Sequence, residues 1–128
     1  MEIIKITWQG LIGKNGETCE RCRKTYLNIE SALIKLEPII SNLGMKVVLE
    51  KKVLSEEEFE KDSMASNRVF INGEPIEDIL NLKVGKSTCC KVCKGLECRT
   101  IIDMDKETNE IPEKHILAAI FTKIKERF

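Results

Sequence analysis

A chain of 128 residues has the size of one domain and can bury a core without disulfides to hold it together. It is 33% charged and 42% hydrophobic, and 21 basic side chains balance 21 acidic ones, so no net field draws it to nucleic acid or a membrane surface. No apolar stretch reaches the roughly 20 residues of a membrane-spanning helix, and the first residues alternate like a strand instead of reading as a signal peptide. A cytoplasmic protein with neither nucleic-acid nor membrane partners is therefore expected.

In chain order, Glu2 to Trp8 has the β-branched content of a strand, and the stretch Gly10 to Gly16 supplies a loop. Cys22, Tyr26, Ile29, Leu33, Leu36 and Ile40 recur at spacings of four and three, which predicts a helix with these six on one face. Pro38 is expected to kink or split it, and Gly44 to end it. Met45 to Glu50 reads as a second strand. Ser55 and Glu58 form a capping-box pair, opening a helix to about Asp62. Arg68 to Ile71 reads as a third strand entering an Asn72-Gly73 turn, and Glu74 to Ile76 as a fourth that pairs back. One turn of helix over 77–82 precedes a cysteine-rich segment, 86–99. Arg99 to Met104 reads as another strand. Pro112 opens a last helix, with Ile116, Leu117, Ile120, Phe121, Ile124 and Phe128 as its apolar stripe. The expected architecture is α/β, a mixed central sheet with flanking helices in a single domain over 1–128.

The six cysteines fall into a pair and a group of four, which in a reducing compartment points to redox or metal chemistry, not to a disulfide framework. Cys19-Glu-Arg-Cys22 follows a strand and a loop and opens a helix, the setting in which Cys-x-x-Cys carries thiol–disulfide exchange. At a helix start the backbone N–H groups and the dipole stabilise a thiolate, and Arg21, Arg23 and Lys24 add positive charge. Cys19 is expected to be the more exposed thiol and the nucleophile, and Cys22, one turn inward, the resolving thiol. A metal knuckle or inert structural thiols remain as alternatives.

Cys89, Cys90, Cys93 and Cys98 lie within ten residues, with Cys90-Lys-Val-Cys93-Lys-Gly95 at their centre. Two thiolates three positions apart before a glycine suit a knuckle for zinc or another thiophilic metal. Either three or all four sulfurs could ligate, since adjacent cysteines tend to point apart. A disulfide within the group, or a reduced loop without a ligand, are the bland alternatives. If 74–98 is one long insertion, this group lies far from Cys19; if Glu74 to Ile76 is a strand, the chain can return towards it.

The motifs Gly16-Glu-Thr-Cys-Glu-Arg-Cys22, Ser66-Asn-Arg-Val-Phe-Ile-Asn-Gly73 and Cys89-Cys-Lys-Val-Cys-Lys-Gly-Leu-Glu-Cys-Arg-Thr100 resemble the thioredoxin superfamily. Within it they resemble an uncharacterised family catalogued as a domain of unknown function, and the resemblance covers roughly Gly16 to Pro112. It implies a thioredoxin-like fold with the cysteine-rich segment as an insertion, and carries over no established activity. Ordinary thioredoxins place a cis proline where this chain has Asn67. A non-proline cis bond costs about 2.5–4 kcal/mol, so a trans peptide and a differently shaped loop are expected here.

The leading expectation is a thiol–disulfide oxidoreductase-type protein, catalytic at Cys19 and Cys22, with a soft-metal cluster at Cys89, Cys90, Cys93 and Cys98. Its rival is a non-catalytic protein that binds or transfers a thiophilic metal or metalloid, and a third reading is a structural zinc adaptor. The expected partner is a redox protein or a metal donor or acceptor. Gly10 to Gly16 lacks a phosphate-binding pattern, so no organic cofactor is expected. His115, the one histidine, is expected at the surface or its boundary, tied to neither cysteine group.

Overall fold

The computed structural model describes residues 2–13, 15–88 and 95–128. Cys89, Cys90 and Cys93 lie outside the described residues. The chain runs β1 (Glu2–Leu11), α1 (Glu20–Asn42), β2 (Met45–Leu54), α2 (Glu56–Lys61), a 3-10 turn (Ser63–Ala65), β3 (Arg68–Ile71), β4 (Glu74–Pro75), α3 (Ile76–Ile79), β5 (Lys83–Thr88), β6 (Glu97–Asp103), β7 (Lys106–Thr108) and α4 (Glu113–Lys125).

A four-stranded sheet has the order β2-β1-β3-β4, and β5, β6 and β7 form a second, three-stranded sheet. β1 pairs with β2 in parallel and with β3 antiparallel, and β3 with β4 antiparallel. The parallel neighbour follows from α1, since a helical crossover returns the chain in the direction it left. Ile4, Ile6 and Trp8 alternate into the core from β1, each at most 2% exposed. Burial of such a side chain contributes about 1.5–3 kcal/mol.

α1 packs on α4 and β2. Its buried stripe is Cys22, Thr25, Ile29, Ala32, Leu36 and Ile40. Thr25 and Ala32 replace the expected Tyr26 and Leu33, which are partly buried beside them. Small residues at the centre of the face let the helix approach its neighbours closely, and the larger side chains flank the contact. Pro38 lies inside one continuous helix, and Gly44 follows it with a φ of 73°. The Ser55–Glu58 capping box is formed in both directions. Asn72 and Gly73 turn with φ of 52° and 83°, the left-handed pair that a tight hairpin requires.

α4 begins at Glu113 with Pro112 as its N-cap, and buries His115, Ile116, Ala119, Ile120 and Ile124. Phe121 and Phe128 of the expected stripe are 46% and 82% exposed. His115 is itself buried, with Nε2 3.1 Å from Asp103 Oδ2 on β6.

Two polar links dock the second sheet on the first. Glu77, 5% exposed, lies between Arg68 and Arg99, whose guanidinium nitrogens are 3.3 and 3.5 Å from its carboxylate. Arg99 also donates from Nε to the Met64 carbonyl at 2.9 Å. Asn67, 1% exposed, donates from Nδ2 to the carbonyls of Arg99 and Asn109 at 3.2 and 2.7 Å. Its Oδ1 accepts from Thr25 Oγ1 at 2.6 Å, and Thr25 Oγ1 accepts in turn from the Ile111 amide at 3.0 Å. β6 is thus fixed to α1 through one buried asparagine.

Candidate functional site

Cys19 is the N-cap of α1, with extended backbone (φ −69°, ψ 153°). Cys22 lies one turn inward, and its carbonyl accepts a 3.0 Å hydrogen bond from the indole N–H of Trp8. Trp8 meets Tyr26 edge-on, with ring centroids 5.5 Å apart and planes at 79°. Gly10 leaves room for this indole, since a Cβ there would stand 2.6 Å from Trp8 Cζ2. Strand β1 and the first turns of α1 therefore form one packed unit around the dithiol.

Cys19 and Cys22 are equally covered, each 1% exposed. The expectation that Cys19 is the more exposed thiol is corrected: packing against the rest of the core buries both. Cys22 keeps its proton far above the ordinary thiol range, first because its thiol hydrogen-bonds Cys19 and then because burial disfavours its charged form. Negative charge on Cys19 or Cys98 acts in the same direction, and the Leu11 amide opposes them. The two thiols therefore sit against each other in the core, and charge on either one raises the cost of charging the other.

Cys98, on β6, is fully buried in the same core cluster as Cys19 and Cys22. It stands opposite Ser87 in the β5–β6 ladder, and Thr88 stands opposite Glu97. Arg21, between the two cysteines of the motif, donates to the carbonyls of Ser87 and Thr88 at 3.3 and 2.6 Å. The helix that carries the dithiol thereby grips the strand end that leads into Cys89. Of the two layouts considered from sequence, the chain takes the one with Glu74 and Pro75 in a strand, and returns to Cys19.

Arg23 is directed away from the thiols: it pairs with Glu20 and holds that carboxyl below its usual range. A groove of about 420 Å³ lined by Leu33, Ile40, Met45 and Val47 lies at the carboxyl end of α1, on the order of 30 Å along the helix from Cys19. Sequence reasoning missed Thr25, and read Arg21 only as positive charge beside the dithiol and Asn67 only as the residue in place of a cis proline, because the partners that give each its structural part lie more than 40 residues away. Among the described residues no group of three or more histidine, cysteine or acidic side chains is arranged to hold a metal ion.

These features define a mixed α/β protein with a buried dithiol at the start of its long helix and a third cysteine delivered by a second sheet. Residues 4–120 match the model of the family described as a domain of unknown function, DUF2703, and the chain belongs to that family. An uncharacterised protein of Archaeoglobus fulgidus is 38% identical over 108 residues, covering 84% of this chain and 77% of that protein. No solved structure matches the chain. Among the described residues no helix is long and apolar enough to cross a membrane.

Proposed function

We propose that the chain is a thioredoxin-like thiol–disulfide protein in which Cys19 attacks a disulfide of a partner and Cys22 resolves the mixed disulfide. The observation that carries this reading is the placement of the pair: Cys19 at the N-cap of a 23-residue helix and Cys22 one turn inward, in one core cluster. The parallel β1–α1–β2 unit supports it as the setting in which a Cys-x-x-Cys motif performs redox work. Asn67 stands just before β3 with a φ of 57°, buried beneath β6, and no cis peptide occurs among the described residues, so this loop differs from that of ordinary thioredoxins.

The test is the release of a chromogenic thiolate from a small aromatic disulfide by the reduced protein. The wild type should release two thiolates per dithiol, Cys22→Ser should stop at a mixed disulfide on Cys19, and Cys19→Ser should release neither. An unchanged rate in Cys19→Ser overturns the proposal.

A second reading, a soft-metal site at Cys89, Cys90, Cys93 and Cys98, is favoured by the β5–β6 ladder. Thr88 and Glu97 pair directly, so the two ends of this segment are held side by side. Bound metal would tie its cysteines together. Native mass measurement of anaerobically purified protein incubated with zinc should show one ion, lost in Cys93→Ser; a metal-free chain overturns this reading.

A further inference from the structure

Resting on the dithiol reading, we propose that Cys98 is a second resolving thiol, which moves the disulfide from Cys19–Cys22 to Cys22–Cys98 and returns Cys19 to its reduced state.

The geometry brackets the two sulfurs from both sides. On one side, Arg21, next to Cys22, reaches the carbonyl of Ser87, the residue directly opposite Cys98. On the other, Thr25, one turn beyond Cys22 on the same buried face, holds Asn67, which holds the carbonyl of Arg99, next to Cys98. Two short chains of hydrogen bonds thus run from α1 to β5–β6, one on either side of Cys22 and Cys98. Both cysteines lie inside the core, at 1% and 0% exposure. A disulfide requires Cα atoms within about 7 Å and side chains that face each other, and burial in one cluster between two fixed links is the arrangement that favours this. The influence of a Cys98 charge on Cys22 agrees with their proximity.

The chemistry balances without an added reagent beyond the disulfide substrate. Cys19 thiolate attacks the substrate disulfide, one substrate sulfur leaves as thiolate, and Cys19 is joined to the other. Cys22 attacks Cys19 Sγ and its proton passes to the departing substrate sulfur; the Cys19–Cys22 bond forms and the second substrate thiol leaves. Two electrons have passed from the dithiol to the substrate. Cys98 then attacks Cys22 Sγ, and its proton passes to the departing Cys19 sulfur. The Cys22–Cys98 bond forms, the Cys19–Cys22 bond breaks, and Cys19 returns to its reduced form. No net electrons move in this last step. Its effect is that one chain can accept a second substrate disulfide at Cys19.

The experiment is disulfide mapping of the wild-type chain by mass spectrometry, after oxidation with one equivalent of the aromatic disulfide and acid quenching at increasing times. The expected result is a Cys19–Cys22 bridge first, followed by a Cys22–Cys98 bridge that grows at its expense. Cys98→Ala should keep the first bridge and the release of two thiolates, and lose the second bridge. A Cys19–Cys22 bridge that persists unchanged in the wild type overturns the relay and leaves the dithiol reading standing. Absence of any bridge together with no released thiolate overturns the dithiol reading itself.

Discussion

Asn67→Ala tests whether one buried side chain holds the two sheets and α1 in register. The substitution removes the acceptor for Thr25 Oγ1 and both donors to the Arg99 and Asn109 carbonyls. Each lost hydrogen bond nets about 1 kcal/mol, and a buried group left without a partner costs about 1–3 kcal/mol, so three losses set a floor of about 3 kcal/mol. The backbone at residue 67 has a φ of 57°, a region that costs alanine about 1 kcal/mol or more and that asparagine tolerates better. The sum is about 4 kcal/mol, a large part of the 5–15 kcal/mol that holds a typical domain folded. At about 2 kcal/mol per molar urea, the unfolding midpoint should fall by about 2 M with little change in slope. Asn67→Gly separates the two causes, since it relieves the backbone strain and keeps the hydrogen-bond loss. Its midpoint should fall by about 1.5 M, the hydrogen-bond share alone. A shift below about 0.5 M for alanine, or near wild-type stability for glycine, would refute the hydrogen-bond argument.

Gly10→Ala places a Cβ 2.6 Å from Trp8 Cζ2, so the indole must shift; stability should drop by about 1–3 kcal/mol, and the emission of the lone tryptophan should move to longer wavelength. An unchanged spectrum and midpoint would contradict the packing of Trp8 on Gly10. Cys22 keeps its proton in the folded chain and loses it near its ordinary value of 9.0 when unfolded, so the folded state binds more protons above that pH. Stability should therefore decline as pH rises beyond 9, by up to about 1.4 kcal/mol per unit, and Cys22→Ala should remove that part of the slope in urea titrations at pH 8 to 10.5. Iodoacetamide should alkylate Cys22 and Cys98 far more slowly in the native chain than in urea, as their burial requires; equal rates by quenched mass analysis would show that the core around them is open in solution.

The elements with a local cause were legible in the sequence. The Ser55–Glu58 box and the Asn72-Gly73 turn need only residues within three positions of one another, and both formed as read. The helix that carries the dithiol was legible from its period, although the face turned to favour Thr25 and Ala32, because the buried Thr25–Asn67 hydrogen bond draws that side of the helix inward. β5 was not legible. Lys83–Thr88 has a single large apolar residue, Val84, and owes its form to pairing with β6. Gly85 sits there because a Cβ would stand 2.6 Å from Thr100 Oγ1, a reason invisible without the partner strand. The site divides in the same way. The Cys19–Cys22 motif could be read from spacing and context, whereas the arrival of Cys98 depends on Arg21 reaching residues 66 and 67 positions away, and on a buried asparagine. His115, expected at the surface or its boundary, is buried for the same reason: its partner, Asp103, belongs to a strand whose position the helix pattern does not encode.

Cys98 links the two cysteine groups more tightly than sequence spacing suggests. It is the last member of the group of four and, through β6, a neighbour of the dithiol. One sulfur cannot ligate a metal ion and form a disulfide at the same time, so metal binding in the cysteine-rich segment and the Cys22–Cys98 bridge must oppose each other at this atom. By linkage the opposition is reciprocal: an ion that withdraws Cys98 favours the Cys19–Cys22 bridge, and a Cys22–Cys98 bridge weakens the hold on the ion by the same factor. Zinc added before the aromatic disulfide should lower the yield of the Cys22–Cys98 peptide and raise that of Cys19–Cys22 in the mapping experiment. Equal yields with and without zinc would show that Cys98 serves the dithiol alone, and would confine any metal site to the remaining cysteines of the segment.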